Sequence, residues 1–150
     1  MKLATIGYEQ TTQPAVIDKL KAAGVEVVVD VRAVASSRRA GFSKTLLSAS
    51  LNAEGIGYVH LRELGTPKPG RIAARKGHVA EMHEIFKAHM AEPAAQLELA
   101  KATEFVREGQ KVALLCYEAD AAGCHRTILA NWICEDLGCE IENLDRKSVV

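Results

Sequence analysis

No cysteine precedes position 116: Cys116, Cys124, Cys134 and Cys139 all fall in the last quarter of a 150-residue chain. A secreted scaffold stapled by disulfides spreads its cysteines more evenly, so the distribution predicts reduced thiols and a cytoplasmic protein. Long apolar runs are absent too. Glu and Lys cut every candidate short of the ~18 uncharged residues that a spanning helix requires. The opening MKLATIGYEQ has no small-residue cleavage site, which predicts neither a signal peptide nor a membrane anchor. There is no excess charge of either sign, with 19 Lys/Arg against 19 Asp/Glu. Aromatic residues make up 5% and do not interleave with the basic ones, which weighs against an extended nucleic-acid surface.

What is present is ordinary globular composition, 48% hydrophobic and 25% charged, at a length that suits one domain. A chain of this size buries roughly 68–70% of the surface its unfolded form exposes, so a core needs no disulfide or structural metal. The zero net charge conceals an uneven spread. Residues 31–80 carry nine Lys/Arg against Glu54 and Glu63. A basic middle on a neutral protein suggests an anionic ligand, a small molecule or a nucleic acid; a solvated basic face balancing an acidic one explains it equally well.

Apolar periodicity orders the elements. Leu3 to Tyr8, the β-branched Val25 to Val31, Tyr58 to Leu61, Lys111 to Tyr117 and Glu140 to Leu144 read as strands. The second is too apolar for a half-exposed strand and implies a sheet covered on both faces. Helical spacing appears over Gln13–Ala23, from Ser43 to Gly55, at Val79, Met82, Ile85, Phe86 and Met90, from Pro93 to Gly109, and from Cys124 to Leu137. Residues 33–42 read as a loop, and 65–77, with two prolines, three glycines and several basic residues, as a long mobile one. Strands alternating with helices predict an α/β fold, a three-layer domain with a mainly parallel sheet of about five strands flanked by helices. No internal repeat or linker divides the chain.

Ligands of open parallel sheets bind at the carboxyl ends of the strands, and the polar residues gather there. The first strand ends at Tyr8 and Glu9, the second at Asp30 and Arg32, the third at His60, the fourth at Cys116 and Glu118. CYEADAAGCHRT, residues 116–127, reads as strand, loop and helix start. Such a helix start points unpaired N–H groups at the loop, holds anions and lowers a thiol pKa. Cys124 is the better nucleophile by exposure, whereas Cys116 closes a buried strand where cysteine is commonly core. Cys134 and Cys139 read as structural. Arg32, Arg38 and Arg126 are candidate clamps for phosphate or carboxylate, although Asp30 and Arg32 could simply pair. Cys116, Cys124 and His125 could form part of a zinc site, but their spacing fits no usual pair and a fourth ligand, such as His60 or Asp30, must come from elsewhere. His78, His83 and His89, spaced by five and six, read as surface; Phe86 and Trp132 read as core.

These motifs together resemble a known family. T-I-G-Y-E at 5–9, V-D-V-R at 29–32, S-R-R-x-G-F-S at 37–43, Y-V-H-L-x-x-L-G at 58–65, L-L-C-Y-E at 114–118 and C-H-R at 124–126 are similar to the signature of domain of unknown function 488. The resemblance implies a compact α/β domain with no assigned reaction. Its characteristic residues would be Tyr8, Glu9, Asp30, Arg32, Arg38, Phe42, His60, Cys116, Glu118, Cys124, His125 and Arg126. Gln10 stands where the family pattern suggests Gly. A looser likeness links Cys116 and Arg126-Thr127 to rhodanese and cysteine-phosphatase folds, though the intervening loop is longer than theirs.

The leading functional reading is an enzyme, a hydrolase or transferase, acting on a phosphate-bearing or nucleotide-like anion. Tyr8, Glu9, Asp30, Arg32, Arg38, His60 and Arg126 would bind; Cys124 or Cys116 would be the nucleophile; Glu118, Glu9 or His125 would move protons. The alternatives are a nucleic-acid-binding module built on residues 31–80, and a zinc or thiol-redox protein using Cys116, Cys124 and His125.

Overall fold

A computed structural model describes residues 1–118 and 124–144. Residues 119–123, including Gly123, and 145–150 lie outside the described residues. In chain order the elements are β1 (Lys2–Gly7), α1 (Gln13–Ala22), β2 (Val27–Asp30), α2 (Lys44–Ala53), β3 (Gly57–His60), a 3-10 turn (Arg62–Leu64), α3 (Lys68–Arg75), α4 (Val79–Met90), α5 (Pro93–Arg107), β4 (Val112–Cys116), α6 (His125–Leu137) and β5 (Glu140–Asn143).

The five strands form one sheet in the order β3-β2-β4-β1-β5, with every pairing parallel. Alternation along each strand sends side chains to two cores. Leu3, Val27, Val29, Val112 and Leu114 pack on one face with α4, α5 and α6. Ala4, Ile6, Val28, Ala113 and Leu115 pack on the other with α1 and α2. This is the three-layer α/β arrangement that the periodicity predicts. β2 is buried along its whole length, as its unbroken apolar run requires.

Local chemistry sets the helix ends. The Thr12 side chain accepts from the Ala15 N–H at 3.3 Å and caps α1, with Pro14 in the first turn. α6 ends at Gly138, whose φ of 70° is left-handed. Gln10 also lies in that region at φ 56°. Glycine takes this conformation without the steric penalty that a Cβ brings, which explains why the family pattern suggests Gly here.

Three expectations are corrected. Residues 65–77 do not form one loop, because α3 occupies Lys68–Arg75. Pro67 precedes it and Pro69 stands in its first turn, where a missing N–H costs nothing; the prolines start a helix there. His89 is not a surface residue: its Nε2 donates to the Glu63 carbonyl at 2.7 Å and ties α4 to the 3-10 turn. The cysteines are not left apart: Cys116 is paired with Cys124 and Cys134 with Cys139, where the sequence suggests free thiols. The end of β4 and the N-cap of α6 carry the first pair, and the last part of α6 with the residue after Gly138 carries the second.

Candidate functional site

The topology creates a crevice. β1 and β2 continue into α1 and α2 on one face of the sheet, whereas β4, lying between them, continues into α6 on the other. Neighbouring strands whose connections leave on opposite faces part at their carboxyl ends, and ligands of such sheets bind there. Gly7 pairs with Cys116 across β1 and β4, and Asp30 with Leu115 across β2 and β4, so the three strands end at nearly one level.

A cavity of about 280 Å³ opens at that level, lined by Tyr8, Arg32, Cys116, Tyr117, Glu118 and His125 from the strand ends and α6. Its far wall comes from Thr66, Arg71, Ala74 and Arg75 in and before α3, with Met82 from α4.

Arg32 is almost fully buried and committed. It forms an ion pair with Asp30, Nη2 to Oδ2 at 2.6 Å and Nε to Oδ1 at 2.9 Å. Nη1 donates to the Tyr8 hydroxyl at 3.1 Å and to the Phe42 carbonyl at 2.7 Å. Tyr8 stacks on Phe42 with ring centres 4.3 Å apart. Burial alone would lower the Arg32 pKa, but the bonded Asp30 carboxylate prevails and raises it. Tyr58 donates its hydroxyl to the same carboxylate, and burial together with that bond raises its pKa. His60 donates from Nε2 to the Arg32 carbonyl at 2.8 Å. Asp30 and His60 therefore position Arg32 from behind; they do not line the cavity.

Arg126 is wholly buried at the start of α6. Its Nη1 donates to the Cys116 sulfur at 2.9 Å and to the Glu118 carbonyl at 2.6 Å. A cation is poorly placed for the macrodipole of this helix end, and these acceptors hold it there. Burial raises the Glu118 pKa, with Glu9 adding to the rise and Arg126 opposing it. The Glu118 carboxyl lies 3.6 Å from the Cys116 sulfur.

His125 is buried between α6 and the sheet, its ring edge-on to Phe86 at 5.2 Å. Nε2 meets the Val31 carbonyl at 2.8 Å and Nδ1 faces the Cys124 sulfur at 3.7 Å. Burial, aided by the Arg126 charge and opposed by the Val31 bond, pushes its pKa down to about 4. The folded protein therefore keeps His125 neutral over a range where the unfolded chain protonates it. The stability this gives is complete above about pH 6.5 and is lost as pH falls through about 4. In urea titrations at a series of pH values, His125→Gln should flatten this part of the profile relative to wild type. An unchanged slope would show that His125 titrates normally.

Tyr8, Arg32, Cys116, Glu118 and His125 thus share one cavity, with Cys124 and Arg126 packed beside it. Arg38 is exposed on the loop after β2 and does not line it, nor does Glu9. The sequence reading missed Arg71 and Arg75. Their i, i+4 spacing marks one helix face, a signal hidden by taking the flanking prolines as loop residues. Arg71 donates to the Thr66 carbonyl at 2.9 Å, and among the described residues neither Arg71 nor Arg75 forms an ion pair.

Residues 12–133 match the model of a family described as Domain of unknown function DUF488. No curated protein matches the chain, and no solved structure does either, so the looser likeness to rhodanese and phosphatase folds has no match behind it.

Proposed function

This chain belongs to the DUF488 family, and on that premise we propose that the cavity at the strand ends binds a small phosphate-bearing or nucleotide-like anion and catalyses its hydrolysis or transfer. The observation that carries this reading is the charge of the wall. Arg32, Arg71 and Arg75 face the space, and among the described residues Glu118 is the one carboxylate in the lining. Arg32 is neutralised by Asp30, so the uncompensated charge belongs to Arg71 and Arg75. Guanidinium groups in a concave, partly dehydrated site grip phosphate oxygens bidentately. Tyr8, Tyr117 and Met82 supply an apolar wall for a ring, and the volume lies near the lower end of ligand pockets, roughly 300–1,000 Å³.

Glu118 is the candidate general acid. Its raised pKa keeps more of it protonated toward neutral pH, so it can donate a proton to a leaving oxygen and take one back from water. Tyr8 and Arg32 fix the cavity floor, with Asp30 and His60 behind them. While Cys116 and Cys124 are bonded to each other, neither can act as a nucleophile.

A small ligand suits the basic middle better than a nucleic acid does. Arg32 is paired with Asp30, Arg39 donates to the Thr11 carbonyl, and Arg62 lies against Glu63. Among the described residues, the basic side chains of residues 31–80 left outside ion pairs are spread over the loop after β2, α2 and α3, and of these Arg71 and Arg75 line the cavity.

The test is thermal shift at low salt with inorganic phosphate, pyrophosphate and mononucleotides. At least one should raise the wild-type Tm, and Arg71→Ala or Arg75→Ala should weaken its binding by about 10–100-fold, as loss of a charged hydrogen bond implies. Glu118→Gln should keep the binding while phosphate release from the bound compound falls by about 100-fold or more. The reading fails if no phosphorylated compound stabilises the wild type, or if the arginine variants respond as the wild type does.

A further inference from the structure

At the cavity wall the end of β4 and the start of α6 bring together a further set of groups. The sulfurs of Cys116 and Cys124 and a ring nitrogen of His125 all lie within 4.8 Å of one another, and all three residues are buried. We propose that in the dithiol state these residues form a three-ligand site for a zinc-class divalent cation, with its fourth position open to the cavity.

Backbone spacing is the first support. The Cys116 and Cys124 Cα atoms are 7.6 Å apart, beyond the roughly 4.4–6.8 Å that disulfides usually span. Cys134 and Cys139, at 4.5 Å, fall inside it. A metal between two thiolates lengthens the bridge, because each sulfur then sits about 2.3 Å from the ion rather than on its partner.

The second support is how His125 is held. A carbonyl only accepts, so Nε2 donates its proton to Val31 at 2.8 Å and Nδ1 is the lone-pair side. That nitrogen is the one facing the Cys124 sulfur, at 3.7 Å. Metal-bound histidines are commonly fixed this way, with the far N–H on a carbonyl. For a tetrahedral ion with a sulfur at about 2.3 Å and a nitrogen at about 2.0–2.1 Å, a separation of this size is what the geometry requires.

The donor set is the third. Two sulfurs and an imidazole select zinc over magnesium or calcium, whose ligands are oxygens. Two cysteines and one histidine with an open position is a donor set that catalytic zinc uses. The fourth ligand is a water or ligand oxygen from the cavity, and Glu118 is a protein oxygen within reach.

This inference does not depend on the phosphate reading, and its test contains no anionic ligand. Full-length protein is reduced with a phosphine, freed of metal and titrated with cobalt(II), then with zinc(II). One equivalent of cobalt should bind with thiolate-to-metal absorption, and zinc should displace it. Cys124→Ser should weaken cobalt binding beyond the roughly 10–100-fold that loss of a group supporting a ligand costs. Cys134→Ser with Cys139→Ser should leave it unchanged. Because Cys124→Ser could fold poorly, thiol alkylation of the wild type gives a second reading: zinc should protect Cys116 and Cys124 and leave Cys134 and Cys139 reactive. No uptake by the reduced wild type, or protection confined to Cys134 and Cys139, would overturn the proposal.

Discussion

Arg32→Ala lowers folding stability by about 3–5 kcal/mol in urea denaturation at neutral pH, the usual cost of stripping the partner from a buried charge. Asp30 is fully buried, and Arg32 supplies three side-chain bonds to it. The substitution also frees the Tyr8 hydroxyl and the Phe42 carbonyl from the guanidinium. Asp30→Asn combined with Arg32→Met should cost clearly less than the two single changes added together, because no charge is then left alone. Strict additivity in that cycle would mean that the pair contributes nothing beyond its separate parts. Arg32 is thus chiefly the keystone of the cavity floor, whereas among the described residues Arg71 and Arg75 in the cavity wall form no ion pair.

Gly65→Ala should be as damaging, for a reason unrelated to charge. A Cβ at Gly65 would lie 2.2 Å from the Ala33 nitrogen and 2.3 Å from its Cα. Both are backbone atoms just beyond β2, so no rotamer relieves the overlap. The segment between the 3-10 turn and α3 must then move off the loop that follows Arg32. A loss of about 3 kcal/mol or more is expected, together with loss of any phosphate-induced thermal shift, since Arg71 and Arg75 are carried on that segment. Gly70→Ala is the internal control. Its Cβ would meet the Thr66 side chain at 2.5 Å, which can rotate, so its cost should be smaller. Equal stability of wild type and Gly65→Ala would show that this close approach is dispensable.

The strand ends were legible because burial writes a simple pattern. An unbroken run such as Val27–Val29 can only be covered on both faces, and polar residues at its end can only reach a rim or a partner. Cys116, Glu118, Tyr8 and Arg32 were found by that reasoning. Arg71 and Arg75 were not, because Pro67 and Pro69 serve a loop and a first helical turn equally well, and only packing of Ala73 against the core separates the two. Arg38 lies outside the cavity lining, and a guanidinium in a loop has the same sequence signature wherever it points.

Taken alone, the sequence determined the α/β class, the element order apart from α3, most element boundaries and the family signature, since each follows from the spacing of apolar and turn residues along a short stretch. Only the tertiary structure decided that β4 inserts between β2 and β1, that Arg32 faces Asp30, and that Cys116, Cys124 and His125 converge at one cavity wall. The physical reason is that a side-chain pattern states which faces are buried, while the choice of neighbouring strand depends on how distant segments satisfy their backbone hydrogen bonds together.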